Sequence, residues 1–172
     1  MLLFKSPLIA VFCIAVSACG FQPLYGSKGS SNIVADLSDV RVAPIKNRVG
    51  QLLSNELKHL LNPLRTPINP KYSLITTLTQ STRSLAVKKT ALATRANLLI
   101  VSSHRLVDIQ SQQILTSAKN SITVSYNIYS SQYATLSAEK DATKRAAKEL
   151  AQDIRLQIGI FFKSHNKQTV VQ

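Results

Sequence analysis

Acidic residues are the scarcest charged groups in this chain. Of its 172 residues, 8 are Asp or Glu against 21 Lys or Arg, giving a formal net charge of +13 at pH 7. Those few acids are dispersed, so no cluster is gathered to hold a metal ion. Cysteine is scarcer still, with Cys13 and Cys19 alone. Histidine occurs three times, as His59, His104 and His165, and none sits in a His-Glu-x-x-His motif. Gly-x-Ser-x-Gly is missing too, so no nucleophile stands beside an oriented base. Long apolar runs are lacking after residue 18, and the longest, around Leu98 to Val101, is strand-sized against the roughly 20 residues of a membrane span. These absences argue against an enzyme and against a segment that crosses a bilayer.

What the chain does carry is concentrated at its start. Lys5 precedes the apolar core Leu8-Ile9-Ala10-Val11-Phe12-Cys13-Ile14-Ala15-Val16, and the small residues Ser17 and Ala18 lead into Cys19. A positive start, a core too short to span and a small-residue end read as an export signal over 1–18. The cysteine directly after them is similar to the lipobox of bacterial lipoproteins. That resemblance implies cleavage before Cys19 and a covalent lipid on its thiol, with no other cofactor. The alternative is an ordinary secretory signal cut near Ala18, leaving Cys19 as a free thiol. Cys13 leaves with the signal, so neither reading permits an internal disulfide or a cysteine-based metal site. Several acyl chains would anchor the protein firmly, since one alone binds reversibly.

The basic excess favours anionic partners. For an exported chain those are phospholipid head groups, lipopolysaccharide phosphates and acidic polymers, and not nucleic acid. A merely solvated basic surface is the plainer alternative.

Residues 19–32 read as an acylated N-terminus and a Gly/Ser-rich tether, although Phe21, Pro23, Leu24 and Tyr25 are too apolar for a plain linker. A single domain is expected over 33–163, with a flexible tail over 164–172. Ile33 to Ile45 suits a strand. Arg48 to Leu61 has Val49, Leu53, Leu57 and Leu60 at helical spacing, with Asn47 placed to cap it and Pro63 to end it. Tyr72 to Thr79, Arg95 to Ile109 and Ile114 to Ile128 alternate as strands, the last two joined by a hairpin-length connection. Ala138 to Phe162 reads as a helix capped by Ser137. The order β-α-β-β-β-α predicts an α+β two-layer sandwich: one mostly antiparallel sheet of about four strands, with two helices on one face.

Two basic groups stand out. Arg83, Lys88, Lys89 and Arg95 lie on a segment that joins two expected strands and holds no acid. Loop cations of this kind can reach phosphates, arginine in bidentate fashion and lysine as a point charge. Interleaved Ala86, Val87, Ala91, Leu92 and Ala93 suit a phosphorylated amphiphile. A long solvated hairpin tip is the alternative. Lys140, Lys144 and Lys148 recur four apart on the last helix, as a solvated face does.

The octet Cys19-Gly20-Phe21-Gln22-Pro23-Leu24-Tyr25-Gly26 resembles the start of the LptE family, the lipopolysaccharide-assembly lipoproteins of Gram-negative outer membranes. The expected element order is similar to that family's α+β fold. The resemblance implies a non-enzymatic protein that plugs an LptD-like outer-membrane β-barrel, assists its assembly and binds lipopolysaccharide on its way to the outer leaflet. It also implies outer-membrane localisation, with Cys19 as the lipid attachment site. A second reading is a tethered, periplasm-facing lipoprotein that binds an acidic glycan or serves an envelope lipid transporter.

Overall fold

The computed structural model describes residues 30–63, 67–87 and 93–169. Seven elements follow one another: α1 (Ser30–Ser38), β1 (Val40–Val42), α2 (Asn47–Leu61), β2 (Tyr72–Val87), β3 (Ala93–Asp108), β4 (Ile114–Asn127) and α3 (Gln132–Thr169). The sheet has the order β1-β2-β3-β4. β1 runs parallel to β2, and the remaining pairs are antiparallel. This is the expected α+β sheet with helices packed on one face, with a third helix added.

That helix replaces the first half of the strand expected over Ile33 to Ile45. Ile33 and Leu37 are four apart and both buried, which is the i,i+4 pairing of one helical face. Only Val40, Arg41 and Val42 keep the strand alternation. A network around Asp39 fixes the junction. Its carbonyl accepts the N–H groups of Lys71 and Tyr72, and its carboxylate holds the Lys71 ammonium at 2.9 Å. The side-chain amide of Asn62 donates to the Ser38 carbonyl at 2.8 Å, satisfying an end of α1 that the helix leaves open.

α2 begins without the expected cap. Lys46 occupies the capping position with no side-chain bond, and Asn47 lies beyond it at φ 70°, a conformation that asparagine tolerates well. Gly50 is needed here because a Cβ at that position would stand 2.6 Å from Ile45 Cγ2. α3 starts six residues before the expected Ala138 and runs seven past Phe162. Ser131 supplies its start, its hydroxyl accepting the Ala134 N–H. His165, read from sequence as part of the tail, stacks on Phe161 within the helix. Arg145 bonds Asp141 at 2.9 Å across one turn, as the spacing predicts.

The three long strands owe their regularity to what the chain omits: no Gly or Pro occurs from Lys71 to Ile158. β2 and β3 pair from Tyr72↔Asp108 to Val87↔Ala93, with bulges only between Ser84 and Val87. Asp108 closes the β3–β4 turn by accepting the N–H and hydroxyl of Ser111. Those two bonds hold its carboxyl below the usual range.

The core lies between the sheet and the helices. Leu74, Leu98, Ile100, Leu106, Ile122 and Val124 of the strands meet Leu53 and Leu57 of α2 and Leu150, Ile154, Ile158 and Phe162 of α3. Ala142, Ala146, Ala147 and Ala151 let α3 approach closely. One polar seam crosses this interface. Thr76, Ser102 and His104 are buried on the inner face, and Thr76 Oγ1, Ser102 Oγ, His104 Nδ1 and Asn120 Oδ1 have no hydrogen-bond partner. His104 is held by Gln157 of α3, and burial keeps its imidazole below its ordinary pKa despite that bond. It is therefore neutral at pH 7.

Candidate functional site: the open face of the sheet

All three helices pack on one side, so the other side of the sheet faces solvent. Its residues follow from alternation. Even positions of β3 turn inward, and odd positions, Arg95, Asn97, Leu99, Val101, Ser103 and Arg105, turn out. The register then sets them in rows: Ile75–Arg105–Ser117, Thr77–Ser103–Lys119, Thr79–Val101–Ser121, Ser81–Leu99–Thr123 and Arg83–Asn97–Ser125. Hydroxyls dominate, with half-buried Ile75, Leu99 and Val101 between them.

Five cations stand exposed on this face: Arg41 on β1, Arg83 on β2, Arg95 and Arg105 on β3, and Lys119 on β4. No acid stands in the rows of Arg83, Arg95, Arg105 and Lys119, whereas Asp39, ion-paired with Lys71, precedes Arg41 by two residues. From Tyr72 to Val107, and again from Ile109 to Ala138, the chain holds no Asp or Glu. Arg105 and Lys119 are diagonal neighbours, about 7 Å apart at their Cβ atoms by sheet geometry. They line a trough of about 520 Å³ with Ile75, Thr77, Ser103 and Ser117. Unpaired cations beside hydroxyl donors can hold phosphate or carboxylate oxygens, and the apolar side chains offer contact to non-polar groups. Among the described residues, no cluster of three His, Cys, Asp or Glu exists that could hold a metal.

Sequence reasoning found part of this face. Arg83 was expected on a loop and Arg95 where that loop enters a strand, and both sit within paired strands. With no Gly or Pro to break it, strand pairing continues to Val87↔Ala93. Both belong to the cationic face, close to one another through the Arg83↔Asn97 row. Lys88 and Lys89 lie outside the described residues, as do Cys19 and the octet that follows it. Arg41, Arg105 and Lys119 were missed. Their signal was present in the odd-numbered alternation of β3 and β4, but the register needed to bring them together was not.

A family model for LptE, lipopolysaccharide-assembly, matches residues 37–158. The chain belongs to the LptE family. The match runs from the end of α1 through most of α3, so it takes in the whole sheet and its open face. A relative from Rickettsia prowazekii, itself uncharacterized, is 29% identical over 154 residues, covering 90% of this chain and 95% of that one. Among solved structures, a Caulobacter crescentus protein described as a lipoprotein shares the fold at a TM-score of 0.65 and 23% identity. It covers 78% of this LptE-family chain and 98% of its own. Lipoprotein B of Nitrosomonas europaea gives a TM-score of 0.57 at 15% identity, over 75% and 86% of the two chains. Among the described residues, no helix of the LptE-family chain is long and apolar enough to cross a membrane.

Proposed function

We propose that this chain is a non-enzymatic outer-membrane lipoprotein, acylated on Cys19, that seats in the lumen of an LptD-like β-barrel and assists its assembly. In this reading the open sheet face holds lipopolysaccharide during delivery to the outer leaflet. The observation that carries it is the cationic open face, acid-free across β2 to β4, of a lipopolysaccharide-assembly family member. Arg83, Arg95, Arg105 and Lys119, with no acid in the rows they occupy, suit a ligand bearing several phosphates, because attraction is not cancelled locally. Half-buried Ile75, Leu99 and Val101 suit the same ligand's apolar part. The anchor rests on the signal-like start and its terminal Cys19, which supplies the membrane attachment that the helices do not.

One experiment tests both halves. The tagged chain and an Arg105→Glu/Lys119→Glu variant are purified from detergent-solubilised membranes and assayed for bound lipopolysaccharide at low salt, where exposed charges act most strongly. Both should retain an outer-membrane β-barrel, and the variant should bind lipopolysaccharide about tenfold more weakly. Unchanged binding would reject the open face as the contact. Recovery with inner-membrane ATPase components in place of a barrel would favour the lipid-transporter reading.

A further inference from the structure

Apart from Arg41, the exposed cations of the open face fall into two pairs. Arg105 and Lys119 are diagonal neighbours on β3 and β4, and Arg83 and Arg95 stand in the same relation on β2 and β3. Two rows without a charge divide the pairs, Thr79–Val101–Ser121 and Ser81–Leu99–Thr123. At about 3.3 Å per residue, the step along β3 from Arg95 to Arg105 covers about 33 Å. Lys119 and Arg83 are the nearest members across the divide. They lie in the rows of Ser103 and Asn97, about 20 Å apart along β3. Physiological salt screens exposed charges over about 8 Å, so each pair attracts its own anion.

The two places are built alike. In each, an arginine of β3 has a cation diagonally across and a neutral polar residue two positions along its own strand, Ser103 for Arg105 and Asn97 for Arg95. The Ser125 hydroxyl donates to Asn97 Oδ1 at 2.6 Å, which orients that amide and leaves its two N–H donors for another acceptor. Two cations about 7 Å apart at their Cβ atoms can close on one phosphate, arginine as a fork and lysine as a point charge. The places differ in enclosure. Arg105 and Lys119 line the trough of about 520 Å³ together with the apolar Ile75, whereas Arg83 stands between the exposed Thr82 and Ser84.

We propose that the open face holds two separate phosphate stations, Arg105/Lys119 and Arg83/Arg95, and takes two phosphorylated amphiphiles in file. The inference rests on the reading of this face as the lipopolysaccharide contact. The apolar parts of both ligands would share the uncharged divide, where Leu99 and Val101 are half-buried. One head group bridging both stations would need phosphates about 20 Å apart. The trough station is the tighter, because its partial enclosure screens the charges less and adds contact to Ile75.

The test uses the full chain in detergent at about 0.15 M salt. Native mass spectrometry counts bound molecules of lipid A, the phosphorylated lipid part of lipopolysaccharide, as its concentration rises. The wild type should take two, the second about tenfold more weakly than the first. Arg105→Glu/Lys119→Glu should keep only the weak step, and Arg83→Glu/Arg95→Glu only the tight one. Each surviving step should stay within about twofold of its wild-type affinity, since the stations are screened from each other. The combined variant should take none. Glutamine at the same four positions should give the same counts, and it decides the matter if a charge reversal fails to fold. Saturation of the wild type at one ligand, or loss of both steps in either double variant, overturns the proposal in favour of a single site. Two ligands retained by a double or by the combined variant place the binding elsewhere and overturn it too. A wild type that takes no lipid A rejects the lipopolysaccharide reading of the face itself, and this inference with it.

Discussion

Leu98 and Leu99 are adjacent in β3 and face opposite worlds. Leu98 is fully buried between the sheet and the helices, in a row with Thr82 and Val124. Leu99 lies half-buried on the open face between Ser81 and Thr123. The inner face is shaped for packing, with small alanines on α3 set against large side chains from the strands. The outer face is shaped for contact with something else, since hydroxyls and cations do little for stability when solvated. The difference separates two requirements on one sheet. Changes inside should be read in stability, and changes outside in binding.

The largest expected effect follows from the inner member of the pair. Leu98→Ala removes a fully buried side chain from a close-packed layer and should cost about 3 kcal/mol. Urea unfolding should show the loss as a lower midpoint at unchanged slope. A loss below about 1 kcal/mol would mean that the helix layer is loosely packed over the sheet.

The alternation that divides these faces was legible in the sequence. Ile122, Val124 and Tyr126 are buried and Ser121, Thr123 and Ser125 exposed, as a period of two requires. α2 was legible from its leucine spacing, and α3 from its alanine and isoleucine stripe. α1 was not. Ile33, Val34, Leu37, Val40 and Val42 include a helical pair and a strand pair in one short stretch, and β-branched residues favour the strand reading. The contacts that decide for a helix come from α3 and from Asn62, both far along the chain. The site was legible only where charges cluster in sequence, at Arg83 and Arg95. Arg105 and Lys119 are 14 positions apart, and only the β3–β4 register makes them neighbours.

The polar seam blurs the contrast between the faces, and pH can measure how much. The pKa of His104 is lowered in the folded state by burial, so the unfolded chain binds its proton more readily. Its contribution to stability is complete above the unfolded pKa of about 6.5 and is lost as pH falls through the lower folded value. The slope is bounded by one proton, about 1.4 kcal/mol per pH unit. Gln157, the α3 residue that meets His104, is uncharged and supplies no anion to hold a charged imidazole. The urea midpoint should therefore fall between pH 7 and pH 5 more steeply in the wild type than in His104→Leu. Parallel falls in the two proteins would show that His104 titrates as freely folded as unfolded.

The smallest effect sharpens the comparison most. Leu99→Ala deletes the same atoms as Leu98→Ala from the neighbouring residue, so side-chain size and strand propensity cancel between the two. What remains is the environment. A half-buried leucine among hydroxyls, with no layer above it, leaves no cavity when truncated, and the cost should stay within about 1 kcal/mol. The same variant should weaken lipopolysaccharide binding if that ligand's apolar part rests on Leu99. A stability cost equal to that of Leu98→Ala would instead mean that the outer face is covered in the free protein. The cations there would then be structural in purpose, and the two faces would not divide the work between them.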